Sequence, residues 1–142
     1  MKLELITLTG AKLQEEIYEV ILPTADGPIG VFKGHMPLVT LAVPGVVSVR
    51  RRPSDSDDKL EHFATNGGII EISNDLVRVL VDEADHADEI HEDEARKALQ
   101  RAHALKKDAK DKVALDNAQT LIDRHAVRLK VAELRRRHHR AQ

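Results

Sequence analysis

Over the first 84 or so residues, short apolar runs alternate with polar positions, and Gly and Pro interrupt them. Near Asp85 the period changes. Beyond it neither Gly nor Pro occurs, and Ala and Leu recur every three or four residues. A period of two followed by one near 3.6 predicts a β-domain, residues 1–85, carrying a helical tail, residues 86–142. Lys2–Thr9 and Glu16–Thr24 read as strands, with Tyr18, Val20 and Leu22 on one face of the second. Ile29–Phe32, Leu38–Val43, Val46–Arg52, Leu60–Ala64, Gly68–Ser73 and Leu76–Val81 follow as further strands. The turns between them are marked by Asp26-Gly27-Pro28, Pro44-Gly45, Asn66-Gly67-Gly68 and Ser73-Asn74-Asp75, with a Ser/Asp/Lys hairpin tip over Pro53–Lys59. Eight or so short strands with no helix between them predict an antiparallel β-sandwich or flattened barrel.

The tail reads as two helices. The first starts in Glu92-Asp93-Glu94, acids that complement a helix N-terminus, and carries Ala95, Ala98, Leu99, Ala102, Leu105 and Ala109 as a stripe. The second runs from about Lys112, with Leu115, Ala118, Ile122, His125, Leu129 and Ala132 at seam spacings. The break is placed near Asp108–Lys112. An antiparallel hairpin is the simplest packing, and one long helix is also compatible with the pattern. Ala, Leu, Lys, Arg and Glu favour helix strongly. An alanine-lined face, however, removes little apolar area from water, at roughly 25 cal/mol per Å². High helicity with weak docking describes a movable element.

Composition narrows the function. Of the 142 residues only 2% are aromatic, so Val, Ile, Leu and Ala must build the core. The net charge of −2 gives no overall bias toward nucleic acid, but acids outnumber bases up to Ala84 and bases outnumber acids after it. The chain has no cysteine, which excludes disulfides and thiolate metal sites. No apolar stretch reaches the roughly 20 residues of a membrane span. Met1-Lys2-Leu3-Glu4 alternates at once and reads as strand rather than signal peptide.

Catalytic constellations are missing from the pattern. No Gly-x-Ser-x-Gly elbow and no Walker-type loop is present, so no catalytic residue is assigned. The eight histidines lack compact ligand spacing, and no metal is expected. The run Arg135-Arg136-Arg137-His138-His139-Arg140 lacks the stacking aromatics of a nucleic-acid site, so it reads either as a solvated helix end or as a segment that docks on an acidic protein surface. Gly34-His35-Met36-Pro37 puts an imidazole and a thioether on a braced loop, which reads either as a loop with a satisfied histidine or as a contact surface.

The order of these parts is distinctive. Asp26-Gly27-Pro28-Ile29-Gly30-Val31-Phe32-Lys33-Gly34-His35-Met36-Pro37-Leu38-Val39-Thr40, then Pro44-Gly45-Val46, then Asn66-Gly67-Gly68-Ile69-Ile70-Glu71, resembles the N-terminal domain of the epsilon subunit of F-type ATP synthases. Asp93-Glu94-Ala95-Arg96 and Arg128-Leu129-Lys130-Val131-Ala132-Glu133-Leu134 look like its two C-terminal helices. The resemblance implies a ten-stranded sandwich on the central stalk of a proton-translocating motor, peripheral on the cytoplasmic side of the cell membrane. Its implied partners are the gamma subunit, the c-ring through Gly34, His35, Met36 and Pro37, and the alpha/beta ring. The tail would regulate ATP hydrolysis, reaching that ring through Arg135, Arg136 and Arg137 when extended. No resident cofactor is implied. Some relatives hold regulatory ATP in the hairpin, and the matching positions here are Asp93, Arg96, Arg124 and Arg128, while Glu92 and Lys97 depart from that motif. A rival reading is a nucleotide-sensing module whose hairpin is the ligand site.

Overall fold

Alternation along the first strand sets the architecture. In β1 (Lys2–Thr7), Leu3, Leu5 and Thr7 are buried while Lys2, Glu4 and Ile6 turn outward. A computed structural model describes residues 1–141. The strands that follow are β2 (Gly10–Glu16), β3 (Glu19–Thr24), β4 (Gly27–Phe32), β5 (Leu38–Ala42), β6 (Gly45–Arg50), β7 (Glu61–Thr65), β8 (Gly68–Ser73), β9 (Leu76–Val81) and β10 (Ala84–His86). They join as one ten-stranded sheet in the order β10-β7-β6-β3-β5-β8-β9-β1-β2, with β4 paired to β3. Leu3, Leu5, Val20, Leu22, Val31, Val47, Val49, Ile70, Val77 and Val79 fill the interior, each at most 1% exposed. This is the expected sandwich, with one difference. β1 and β9 run parallel, because the first strand is laid beside the last long one rather than hairpinned to it.

Two strands were not anticipated, and both lack a readable alternation. β2 buries only Leu13 along its length, as an edge strand with one short contact face does. β10 has three residues and straddles the position where the period changes. The expected strand Glu16–Thr24 is broken at Ile17 and Tyr18. Tyr18 therefore does not share the face of Val20 and Leu22; its ring meets the edge of Phe32 at 5.5 Å between centroids. At the β8–β9 turn Asn74 and Asp75 both take positive φ, 49° and 61°, the primed geometry that matches strand twist.

The tail forms α1 (Glu92–Asp108) and α2 (Lys112–Ala141), packed against each other as an antiparallel hairpin. The break needs neither Gly nor Pro. Ala109 is extended at φ −65°, ψ 128°, and Asp111 Oδ1 accepts from the Ala114 N–H at 2.8 Å, capping α2. Of the alanine stripe, Ala95, Ala102 and Ala118 are buried, while Leu105 and Leu115 stay exposed near the hairpin tip.

One close approach inside the sheet is testable. A Cβ on Gly68 would lie 1.9 Å from the Leu80 carbonyl oxygen on the neighbouring strand. Gly68→Ala therefore lowers stability by at least about 2 kcal/mol, read as a lower urea midpoint with unchanged slope. An unchanged midpoint would mean that β8 and β9 are not this close.

Candidate functional site

Strand β7 is buried on both faces, as is the middle of its neighbour β6. Phe63 points into the sandwich core, whereas Ala64 belongs to a second apolar cluster with Ala87, Ile90, Ala95, Val131 and Ala132. That second cluster is where the tail meets the sheet. Its members are mostly alanine and valine, so each contributes little apolar area. α2 lies over the outer face of β6 and β7, with Lys130 and Leu134 bordering a groove against Ile21, Pro23, Val46 and Ser48.

Charge pairs flank this small apolar seam. Arg124 lies 2.9 Å from Glu83 without an aligned hydrogen bond, and Asn66 donates to the same carboxylate at 3.3 Å. Arg128 is paired with Asp85 on β10. Arg135 donates to the Ala87 carbonyl at 3.0 Å and lies 3.7 Å from Asp88. Arg136 reaches Glu92 Oε1 at 2.9 Å, the same oxygen that Arg96 meets at 2.9 Å. Glu92 thus ties the start of α1 to the end of α2. Exposed pairs of this kind are worth 0–1 kcal/mol each and weaken with salt, so the row orients α2 more than it anchors it.

These contacts place the residues singled out for the hairpin. Arg96 pairs with Glu92 and, at 3.5 Å, with Asp93 on its own helix. Arg124 and Arg128 turn onto the β-domain carboxylates instead of converging on Arg96. Arg135 and Arg136 are engaged in the docked tail, whereas Arg137 is exposed. Between the two β-facing arginines His125 holds a buried Nδ1 without a hydrogen-bond partner, and its pKa is lowered by burial first and then by Arg124, Arg128 and Arg101. The carboxylates Glu83, Asp85 and Asp88 were missed from the sequence. Arg124, Arg128 and Arg135 stand at helical spacing along α2, opposite an acidic stretch, and that was the available signal.

The Gly34–Pro37 loop lies elsewhere, between β4 and β5. Gly34 takes φ 87° and donates its N–H to Asp75 Oδ1 at 2.8 Å, which fastens the loop to the β8–β9 turn. His35 Nδ1 lies 2.7 Å from the Met36 carbonyl oxygen, so the imidazole is held locally, and Met36 projects with 72% of its surface exposed. On the outer face of β5 and β8, Val39, Leu41 and Ile69 form an uncovered apolar strip; Leu41 and Ile69 stand opposite in register. Among the described residues no group of acidic or histidine side chains is arranged to hold a metal. No helix among them is long and apolar enough to cross a membrane.

A ten-stranded sandwich with a docked helical hairpin is matched elsewhere. Residues 1–87 match the family described as ATP synthase, Delta/Epsilon chain, beta-sandwich domain. The chain belongs to the ATP synthase epsilon family. It is 32% identical over 136 residues to the ATP synthase epsilon chain of Herpetosiphon aurantiacus, covering 96% of each. It is 36% identical over 133 residues to that of Geotalea daltonii, covering 93% of each, and 35% identical over 119 residues to the chloroplastic epsilon chain of Adiantum capillus-veneris, covering 84% of this chain and 86% of that one. A chain of the Euglena gracilis mitochondrial ATP synthase, in its OSCP/F1/c-ring assembly, shares the fold with a TM-score of 0.78 at 23% identity, over 92% of this chain and 79% of that chain. Members of the epsilon family are accessory, non-catalytic subunits of ATP synthase, and this chain is one.

The geometry predicts how the tail is held. Asp85→Asn removes the charge facing Arg128, costing about 1 kcal/mol of docking and raising the released population roughly five-fold. Trypsin cleavage after Arg128 in the native chain reads this directly, and the difference from the unsubstituted chain shrinks in molar salt. Equal cleavage rates at low salt would remove the pair from the account.

Proposed function

We propose that the chain is a rotor subunit of the central stalk of a proton-translocating F-type ATP synthase, linking gamma to the c-ring, with its helical tail acting as a brake on ATP hydrolysis. The observation that carries this reading is the difference between its two surfaces. One face of the sheet, around Val39, Leu41 and Ile69, presents an apolar strip that nothing among the described residues covers. The opposite part, around β7, is covered by a tail that small side chains and surface ion pairs hold. The first suits a permanent partner and the second an element that leaves.

In this reading the strip seats the gamma subunit, and the Gly34-His35-Met36-Pro37 loop meets the polar loops of the c-ring. The subunit is peripheral, on the cytoplasmic side of the membrane. Release of α2 frees Arg135 and Arg136 from Asp88 and Glu92, so that with Arg137 they are offered to acidic surface on the alpha/beta ring. The extended tail then opposes rotation in the hydrolytic direction. ATP enters only by competing with Glu92, Glu83 and Asp85 for Arg96, Arg124 and Arg128. A ligand at ~100 times its dissociation constant would shift the tail equilibrium by about 2.7 kcal/mol.

Two measurements check the reading. Deleting Ile90–Gln142 raises ATP hydrolysis by the reconstituted complex, and an unchanged rate refutes the brake. Replacing Leu41 with Asp places a charge where about 2 kcal/mol of apolar burial is expected and lowers affinity for gamma at least roughly ten-fold, without unfolding the sheet. Undiminished binding would move the gamma contact to another face.

A further inference from the structure

A histidine lies under the end of the tail. His62, on β7, is 6% exposed, and its outward face is covered by α2 rather than by solvent. Its ring packs on that of His138 with centroids 5.1 Å apart, tilted by 44°. Nδ1 stands 2.8 Å from the Ser48 hydroxyl on the neighbouring strand, while Nε2 is buried with no hydrogen-bond partner. A cleft of about 350 Å³ opens beside the pair, where the tail, β7 and β10 converge.

We propose that His62 makes the grip of the β-domain on the tail proton-sensitive, so that acidification releases the final turns of α2. The surrounding charges give the direction. From α2 the pocket is faced by Arg135, His138 and His139; from β10 and the turn after it by His86 and Asp88; from β7 and the segment before it by Glu61, Lys59, Asp58 and Asp55; and from the residue after β6 by Arg51. The carboxylates are already engaged: Asp55 accepts from the Arg52 N–H at 3.1 Å and Asp58 from the Ser56 hydroxyl. Glu61 lies 2.9 Å from His86 Nε2 and 2.8 Å from Arg51, and Asp88 lies 3.5 Å from His86 and 3.7 Å from Arg135. The His86 ring thus has a carboxylate beside it, and His62 has none. A proton added to His62 would meet only a hydroxyl on one side and the His138 ring on the other. Buried, unpaired charge of this kind is relieved by lifting the covering element away.

Burial lowers the pKa of His62 to about 4, with His138 and then His86 adding to the effect. Once α2 lifts, the ring is wetted and returns toward the ordinary value near 6.5. The docked state therefore binds fewer protons than the released one, and docking weakens as pH falls through the window from about 6.5 to about 4. Between pH 7 and 5 the ratio of docked to released tail drops by up to about 20-fold. The consequence for hydrolysis rests on the braking reading above: an acidified compartment would set the brake. The release itself does not depend on that reading.

The test uses the full chain. Because it contains no cysteine, Ser54→Cys and Arg140→Cys place two spin labels on exposed positions, one on the β6–β7 connection and one at the end of α2. Pulsed dipolar distances at pH 7.5 should show one close population. At pH 5.0 a longer population should grow, and His62→Gln, which keeps a partner for Ser48 but does not titrate, should flatten that growth several-fold. A wild-type distribution that does not change with pH overturns the proposal, as does a His62→Gln chain that responds as steeply as wild type. If His62→Gln fails to dock at pH 7.5, proton NMR of the His62 ring in the wild-type chain decides. Titration well below its ordinary value supports the latch, and titration near 6.5 overturns it. These readouts concern docking alone. Loss of the brake in the assembled complex would show instead as ATPase activity indifferent to removal of the tail.

Discussion

The covering of one sheet face by alanine-rich helices is the contact on which the behaviour of this chain turns. The outer face of β6 and β7 carries Ser48, His62 and Ala64, residues small or polar enough to tolerate water and too weakly apolar to hold a partner firmly. α2 closes it with Val131 and Ala132, and the flanking arginines set its register. Everything in the sandwich interior is different in kind. Leu, Ile and Val close-pack there at almost complete burial, so opening the sheet exposes far more apolar area than lifting the tail. The two parts consequently differ in how readily they open, although they belong to one chain.

That difference gives weight to the partners that the arginines of α2 have within the chain. In the docked hairpin Arg124, Arg128, Arg135 and Arg136 sit beside Glu83, Asp85, Asp88 and Glu92. An external acidic surface, or a polyphosphate, therefore competes with carboxylates of the chain itself, and only its differential affinity for the released tail shifts the balance. The acidic charge of the β-domain, a compositional fact at first sight, becomes the counter-surface for the cationic tail. Glu92 acts in the same sense: its oxygen is shared by Arg96 and Arg136, which ties the start of α1 to the end of α2.

Much of this was legible along the chain. The change of period near Asp85, the acidic start of α1 and the buried Ala95, Ala102 and Ala118 of the alanine stripe all correspond to structure, because each depends on local spacing and side-chain type. What escaped has a common cause. β2 offers a single buried residue, Leu13, so no alternation announces it, and β10 is too short to show a period. The continuous burial of His62, Phe63, Ala64 and Thr65 looks like any inner strand, while the element that covers its outer side lies some 70 residues downstream. Local pattern does not report such a partner. The role of Asp111 was hidden in another way: it caps α2 after an extended Ala109, so the helix break needs no Gly or Pro.

Native-state hydrogen exchange of the full chain at neutral pH tests the central claim most directly. Amides of α2 should exchange through a shared opening at least about 2 kcal/mol cheaper than that protecting β1, β8 and β9. Equal protection of α2 and the sheet would contradict the account, because the tail would then leave only when the whole protein unfolds.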